Sequence, residues 1–149
     1  MELKIKALSP KIGREIPLPR FATDGAAAMD LYACIDEPVV IGPGQRAVIP
    51  TGIAIALPDN NYVALLFSRS GMGIKSGVCL SNSVGVIDSD YRGQVGVGLL
   101  NTSDTPYTVQ PGDRIAQLMV TPVVRPDVTL VDELSETERG VGGFGSTGR

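Results

Sequence analysis

Glycine and proline punctuate this chain from end to end, 18 and 11 of them in 149 residues, and the apolar residues between them come in short runs. Neither residue sits well inside a helix, so the pattern favours short strands joined by turns. Lys4 to Leu8 alternates and reads as a first strand. Val39 to Ile41 and Arg46 to Ile49, on either side of Pro43-Gly44, read as a hairpin-like pair. Gly52 to Leu57 and Tyr62 to Phe67 follow as two more strands. Val84 to Ile87 and Gln94 to Leu100 flank a hydrophilic stretch. Tyr107 to Val109, a Pro111-Gly112 turn and Ile115 to Pro122 close the series. Helical periodicity is nearly absent, and Ser70 to Ser76 makes one short helix at most. No repeat recurs at a fixed period. The expected fold is all-β: a sandwich, barrel or jelly roll.

Length suits one domain, able to bury roughly 68–70% of its unfolded surface. The residue inventory then narrows the chemistry. The chain has no histidine, so a Ser-His-Asp triad, a Cys-His dyad and an HExxH zinc site are all excluded. Its two cysteines, Cys34 and Cys79, form no CxxC pair and fit a reduced, cytoplasmic protein as small buried side chains. Any metal should therefore be a hard cation held by oxygen. A net charge of −3 argues against a surface made for nucleic-acid polymers. No apolar run approaches the ~20 residues that span a bilayer, and MELKIKALSP lacks the features of a secretion signal.

Five segments carry polar residues where packing alone does not call for them. Residues 139–149, RGVGGFGSTGR, are too glycine-rich to hold a strand cheaply. Backbone amides, hydroxyls and guanidinium groups suit a polyphosphate, and Phe144 has no core to join, so stacking on a ligand is attractive. A mobile tail with an incidental phenylalanine has the same composition. Residues 85–97, GVIDSDYRGQVGV, fail as a calcium loop because Arg92 and Leu99 stand where oxygen ligands are wanted. They read better as a hairpin with a polar tip, where Asp88 could orient a water and its aromatic neighbour hold a sugar; an ordinary solvated turn uses the same residues. FSRSGMGIKSG, residues 67–77, offers Arg69 and Ser70 beside glycines as an anion cradle, or simply a loop entering a helix. Residues 27–33, AAMDLYA, bury one acid among small and apolar neighbours, so Asp30 should be paired, hydrogen-bonded or near a metal. GDRIAQLMV, residues 112–120, puts Gln117 inside a strand and raises the same question.

Taken in order, AAMDLYA, SRSGMG, GVIDSDYRG, GDRIAQL and RGVGGFGSTG resemble the five motifs of the trimeric dUTPase family and span Ala27 to Gly148. Two departures stand out: Ala28 where the family usually has glycine, and Ser68 where proline is common. The resemblance implies a jelly-roll-like β-sandwich or barrel over residues 1–136, and a flexible glycine-rich arm over 137–149 that closes an active site. It further implies a homotrimer with sites at subunit interfaces, to which different subunits bring the third motif, the phosphate motifs and the arm. The implied reaction is Mg²⁺-assisted attack of water on the α-phosphorus of dUTP, giving dUMP and pyrophosphate. That reaction keeps uracil out of DNA and supplies dUMP for dTMP synthesis. By the same resemblance Asp88 orients the water, and Tyr91 packs under the deoxyribose. The backbone of Asn82, Gly85, Val86, Ile87 and Gly96 reads the uracil edge. Arg69, Ser70 and Gly71 hold phosphates with Gln117 close by. Asp30 lies near the water shell of a metal held mainly by substrate phosphates and water. Phe144 stacks on uracil, with Gly145 beside it, and Arg139, Ser146 and Thr147 grip the outer phosphates.

Three other readings compete. A dCTP deaminase shares related motifs but needs an acid–base residue, typically glutamate, at the base, and none lies between Cys79 and Pro111. A non-catalytic trimeric β-sandwich leaves Phe144 and Asp88 unexplained. An oligonucleotide-binding barrel is opposed by the negative charge and by an aromatic set of four tyrosines and three phenylalanines.

Overall fold

A computed structural model of the chain describes residues 1–143. Among the described residues there are eleven strands, β1 (Lys4–Ala7), β2 (Met29–Tyr32), β3 (Val39–Ile41), β4 (Arg46–Pro50), β5 (Ile53–Ala56), β6 (Tyr62–Phe67), β7 (Val78–Leu80), β8 (Gly85–Ile87), β9 (Gly96–Asn101), β10 (Tyr107–Val109) and β11 (Arg114–Pro122), and one short helix, α1 (Ser70–Ser76). No helix among these residues is long and apolar enough to cross a membrane. The all-β expectation holds, and so does the one short helix at Ser70–Ser76.

The pairing is less local than the sequence suggests. Among the described residues no two strands consecutive in sequence hydrogen-bond to each other. Instead the antiparallel pairs are nested: β2 with β11, β3 with β10, β4 with β9. β6 lies between β11 and β8, β7 extends the sheet of β4 and β9, and β1 pairs with β5. This is the pattern of a long two-stranded ribbon rolled into two layers, the jelly-roll arrangement.

Both hairpin readings are corrected by it. β3 and β4 do not pair, and neither do β8 and β9, which belong to different sheets. The turns themselves are sound. Gln45 donates to the Gly42 carbonyl and Asp113 to that of Gln110; Gly44 and Gly112 take positive φ, 69° and 80°. With proline before the glycine these are type II turns. Such turns do not match the twist of a tight hairpin and splay the strands they join. Each therefore passes the chain from one sheet to another. Two strands, β2 and β7, were not foreseen. The apolar run of one is broken by Asp30, and the other is three residues long and follows α1 after a single left-handed glycine, Gly77.

The inward faces meet in one core that includes Leu31, Ile41, Ile49, Ile53, Val97, Leu99, Val109, Ile115 and Leu118. Asn101 is buried with them. Its desolvation is offset, because its amide donates to the carbonyls of Ile41 and Thr105 and its oxygen accepts from Ser103. After β11 the chain leaves the sheets. From Val123 onward it forms no strand among the described residues, and Val124, Val128, Leu130 and Leu134 are almost fully exposed.

Candidate active site

β8 is the edge of the four-stranded sheet, in register with β6: Ala64 faces Ile87 and Leu66 faces Gly85. Glycine is required at 85 for space, since a Cβ there would lie 2.9 Å from the Leu66 Cβ. Beside this edge opens a cleft of about 210 Å³, lined by Leu66, Asn82, Gly85, Val86, Ile87, Asp88, Tyr91, Gln94, Val95 and Gly96. Its entrance turn holds Ser83 at φ 62°, the one non-glycine residue with positive φ among the described residues. The loop after β8 is held by its own groups. Tyr91 N–H donates to the Asp88 carbonyl, and Arg92 donates to those of Ser89 and Tyr91. The Tyr91 hydroxyl donates to the Gln94 carbonyl at 3.0 Å. The cleft thus gathers Asn82, Gly85, Val86, Ile87, Asp88, Tyr91 and Gly96, all singled out in the sequence, and adds Leu66, Gln94 and Val95.

A second cluster forms where β2, β11 and β6 run side by side. Gln117 is in register with Asp30 on one flank and Phe67 on the other. The Asp30 carboxylate is buried, with Oδ1 3.3 Å from Arg69 Nε and Oδ2 3.2 Å from Arg114 Nη1. Arg69 also donates to the Arg114 carbonyl at 3.1 Å. One buried acid thus holds two guanidinium groups, leaving the cluster with a positive excess. Arg114 is a site candidate that sequence reasoning passed over, although it lies within the GDRIAQL segment; the signal is a cation three residues before Gln117, the strand position facing Asp30. Tyr107 lies nearby. Burial raises its phenol's pKa, Asp113 adds to the effect and Arg69 opposes it. Ser70 and Gly71 open α1, exposed and adjacent to Arg69. Ser68 has a structural reason of its own: its hydroxyl accepts the Leu80 N–H at 2.8 Å, fastening β7.

Arg69, Ser70, Gly71, Gln117 and Asp30 do not line the cleft of Asp88. Register explains why. Asp88 follows Ile87 and so stands level with Val63, whereas Arg69 lies beyond the other end of β6. At ~3.3 Å per residue the backbone separation is roughly 20 Å. Arg139 is exposed, its Nε donating to the Gly142 carbonyl. Phe144, Gly145, Ser146 and Thr147 lie outside the described residues. Among the described residues no three His, Cys, Asp or Glu side chains group as a metal-binding set.

The all-β body thus carries an edge cleft and a separate arginine cluster whose guanidinium groups suit an anionic ligand. The family model described as dUTPase matches residues 14–148, and the chain belongs to that family. It is 51% identical to the deoxyuridine 5'-triphosphate nucleotidohydrolase of Idiomarina loihiensis over 99% of this chain and 98% of that one. To the corresponding Escherichia coli protein it is 45% identical over the same shares. Among solved structures, the Staphylococcus bacteriophage 80alpha dUTPase with dUPNHPP superposes at a TM-score of 0.86 with 31% identity, over 99% of both chains. A mutant dUTPase from phage phi11 of S. aureus, described as coordinating a structural Mg(II) ion, superposes at 0.78 with 26% identity over 91% of this chain and all of that one. Membership makes this chain a hydrolase of nucleotide metabolism.

Proposed function

We propose that this protein hydrolyses dUTP to dUMP and pyrophosphate, keeping uracil out of DNA and supplying dUMP for dTMP synthesis, and that it does so as a homotrimer in the cytoplasm. Support for the substrate comes from family membership and from the phage dUTPase that superposes with dUPNHPP bound. The observation that carries the architecture is the register of β6 and β8, which sets Asp88 and Arg69 toward opposite ends of β6 in one chain, roughly 20 Å apart at the usual rise per residue. A base-and-sugar cleft in one copy and a phosphate cluster in a second make one site at an interface.

In this reading uracil enters the cleft between Asn82 and Gly96. Close-packed backbone from Gly85 to Ile87 excludes a 5-methyl group, and its amides and carbonyls select uracil over cytosine, where each mismatched buried group costs about 1–3 kcal/mol. Tyr91 leaves no room for a 2′-hydroxyl. Asp88, exposed at the rim of the cleft, accepts a proton from the attacking water, a role that typically contributes ~10²–10⁴-fold. Arg69, Arg114, Ser70, Gly71 and Gln117 of a neighbouring copy hold the phosphates, the guanidinium groups being oriented in advance by Asp30. Residues 1–136 form the body and 137–149 the closing arm, with Arg139, Ser146 and Thr147 on the outer phosphates and Phe144 and Gly145 over the base.

The donor set fits a hard cation that arrives with its substrate. No cage of side chains is offered among the described residues, and Mg²⁺ habitually keeps phosphate oxygens and water as ligands. When bound, it would be held by the triphosphate and water, with Asp30 near its water shell, and would neutralise phosphate charge.

Pyrophosphate release from dUTP, dTTP, dCTP and UTP, each with Mg²⁺ and with EDTA, tests this. Metal-dependent release from dUTP alone is expected. Ammonia release from dCTP without pyrophosphate would overturn it.

A further inference from the structure

We propose that Gly93 is the positioning residue that seats the Tyr91 ring and so sets the preference for deoxyribose over ribose. The inference rests on the cleft being the sugar-binding site proposed above. Gly93 does not have the positive φ that would itself require glycine. What it lacks is room. A Cβ at position 93 would run into the Tyr91 hydroxyl, lie 2.6 Å from Cζ and lie 3.1 Å from Cε2. The ring therefore arches over Gly93, and its hydroxyl reaches past to the Gln94 carbonyl at 3.0 Å. On the other side of Tyr91 the main chain is pinned by Arg92 and by the Asp88 carbonyl. With the backbone held on both sides, a methyl group at 93 can be accommodated only by moving the ring. Ordinary carbon–carbon contact, ~3.5–4.0 Å, requires a shift of roughly 1 Å. The ring shares a wall of the cleft with Asp88, so the same shift displaces the surface on which the sugar rests. Tyr91 and Gly93 are exposed loop residues and not members of the buried core, so a thermal midpoint separates a local shift of the ring from a folding defect.

The test compares kcat/KM for dUTP and for UTP in the wild type, Gly93→Ala, Tyr91→Ala and the double variant, with thermal midpoints for all four. Gly93→Ala is expected to lower the dUTP-to-UTP ratio roughly tenfold, the scale on which a snug pocket resolves one small group, with an unchanged midpoint. In the Tyr91→Ala background the same substitution should leave the ratio unaltered, because the ring it displaces is gone. An unchanged ratio in Gly93→Ala overturns the proposal. So does an equal loss in both backgrounds, or a fall for both nucleotides with a lowered midpoint, which would make Gly93 a folding glycine. A wild type that fails to prefer dUTP counts against the sugar-site reading itself, since that result does not involve the variants.

Discussion

The cleft beside β8 and the arginine cluster across β2, β6 and β11 are built by opposite means. The cleft is shaped by what is missing: Gly85 admits Leu66, and Gly93 admits the Tyr91 ring. Its hydrogen bonds run mostly to main-chain carbonyls. The cluster is shaped by charge, one buried carboxylate holding two guanidinium groups. On the proposed reading, a neutral base and sugar would be selected by fit, and a polyanion by cations whose directions are set before it arrives. On that reading the two regions can be separate in one chain, because shape has to be local, whereas charged side chains can be offered across an interface.

The largest expected effect falls on the cleft. Asp88→Asn keeps the side chain's size and removes its basicity, so kcat should drop by ~10²–10⁴ with KM nearly unchanged; single-turnover rates with dUTP measure it. If KM rises while kcat stays, Asp88 is a binding group. Mixing then tests the separation of the two regions. Asp88→Asn and Arg69→Ala, each inactive alone, should regain activity at about a quarter of the sites when unfolded together and refolded in equal amounts, the random share of interfaces that combine two intact contributions. No recovery means that each chain builds its own site.

The cluster should show itself in stability. Asp30→Asn leaves two guanidinium groups without their counter-ion. Arg114, with relative side-chain accessibility of 51%, can turn to water, whereas the buried Arg69 Nε would lose its facing carboxylate, and the loss should be about 1–3 kcal/mol. Urea unfolding of the two proteins gives the number; an unchanged midpoint would mean the acid is dispensable for order. The smallest effect concerns Tyr107. Its pKa is raised in the folded protein, chiefly by burial. Folding therefore favours the protonated phenol. The contribution is whole below the ordinary value of 10.0 and is lost as pH rises through the folded value. Wild type and Tyr107→Phe should keep a constant stability difference up to about pH 10 and diverge above it, the wild type weakening. Parallel curves throughout would remove Tyr107 from the cluster's electrostatics.

Much of this was legible beforehand. Strand positions β3 to β6 and β8 to β11 follow from apolar runs between glycines and prolines, since period and punctuation are local properties of the chain. Seven cleft residues were identifiable because they lie close together in sequence, between Asn82 and Gly96, around the segment that resembles the third dUTPase motif. Strand partners were not legible. Pro43-Gly44 and Pro111-Gly112 announce turns, yet whether a turn closes a hairpin or sends the chain to another sheet depends on which distant strand waits there. Arg114 escaped notice for a related reason: alone in the sequence it is one arginine before an apolar strand, and only the register of β11 against β2 sets it on Asp30.

The residues by themselves determined the β class, the excluded chemistries, the dUTPase-like motifs and the polar loop between β8 and β9, because composition, periodicity and spacing act over a few residues. Tertiary structure alone decided that the strands nest rather than zip neighbour to neighbour, that Asp30 joins Arg69 and Arg114, and that Asp88 and Arg69 stand toward opposite ends of β6. Those outcomes depend on contacts between segments tens of residues apart, where the burial of one common core selects a single arrangement from many that are locally equivalent.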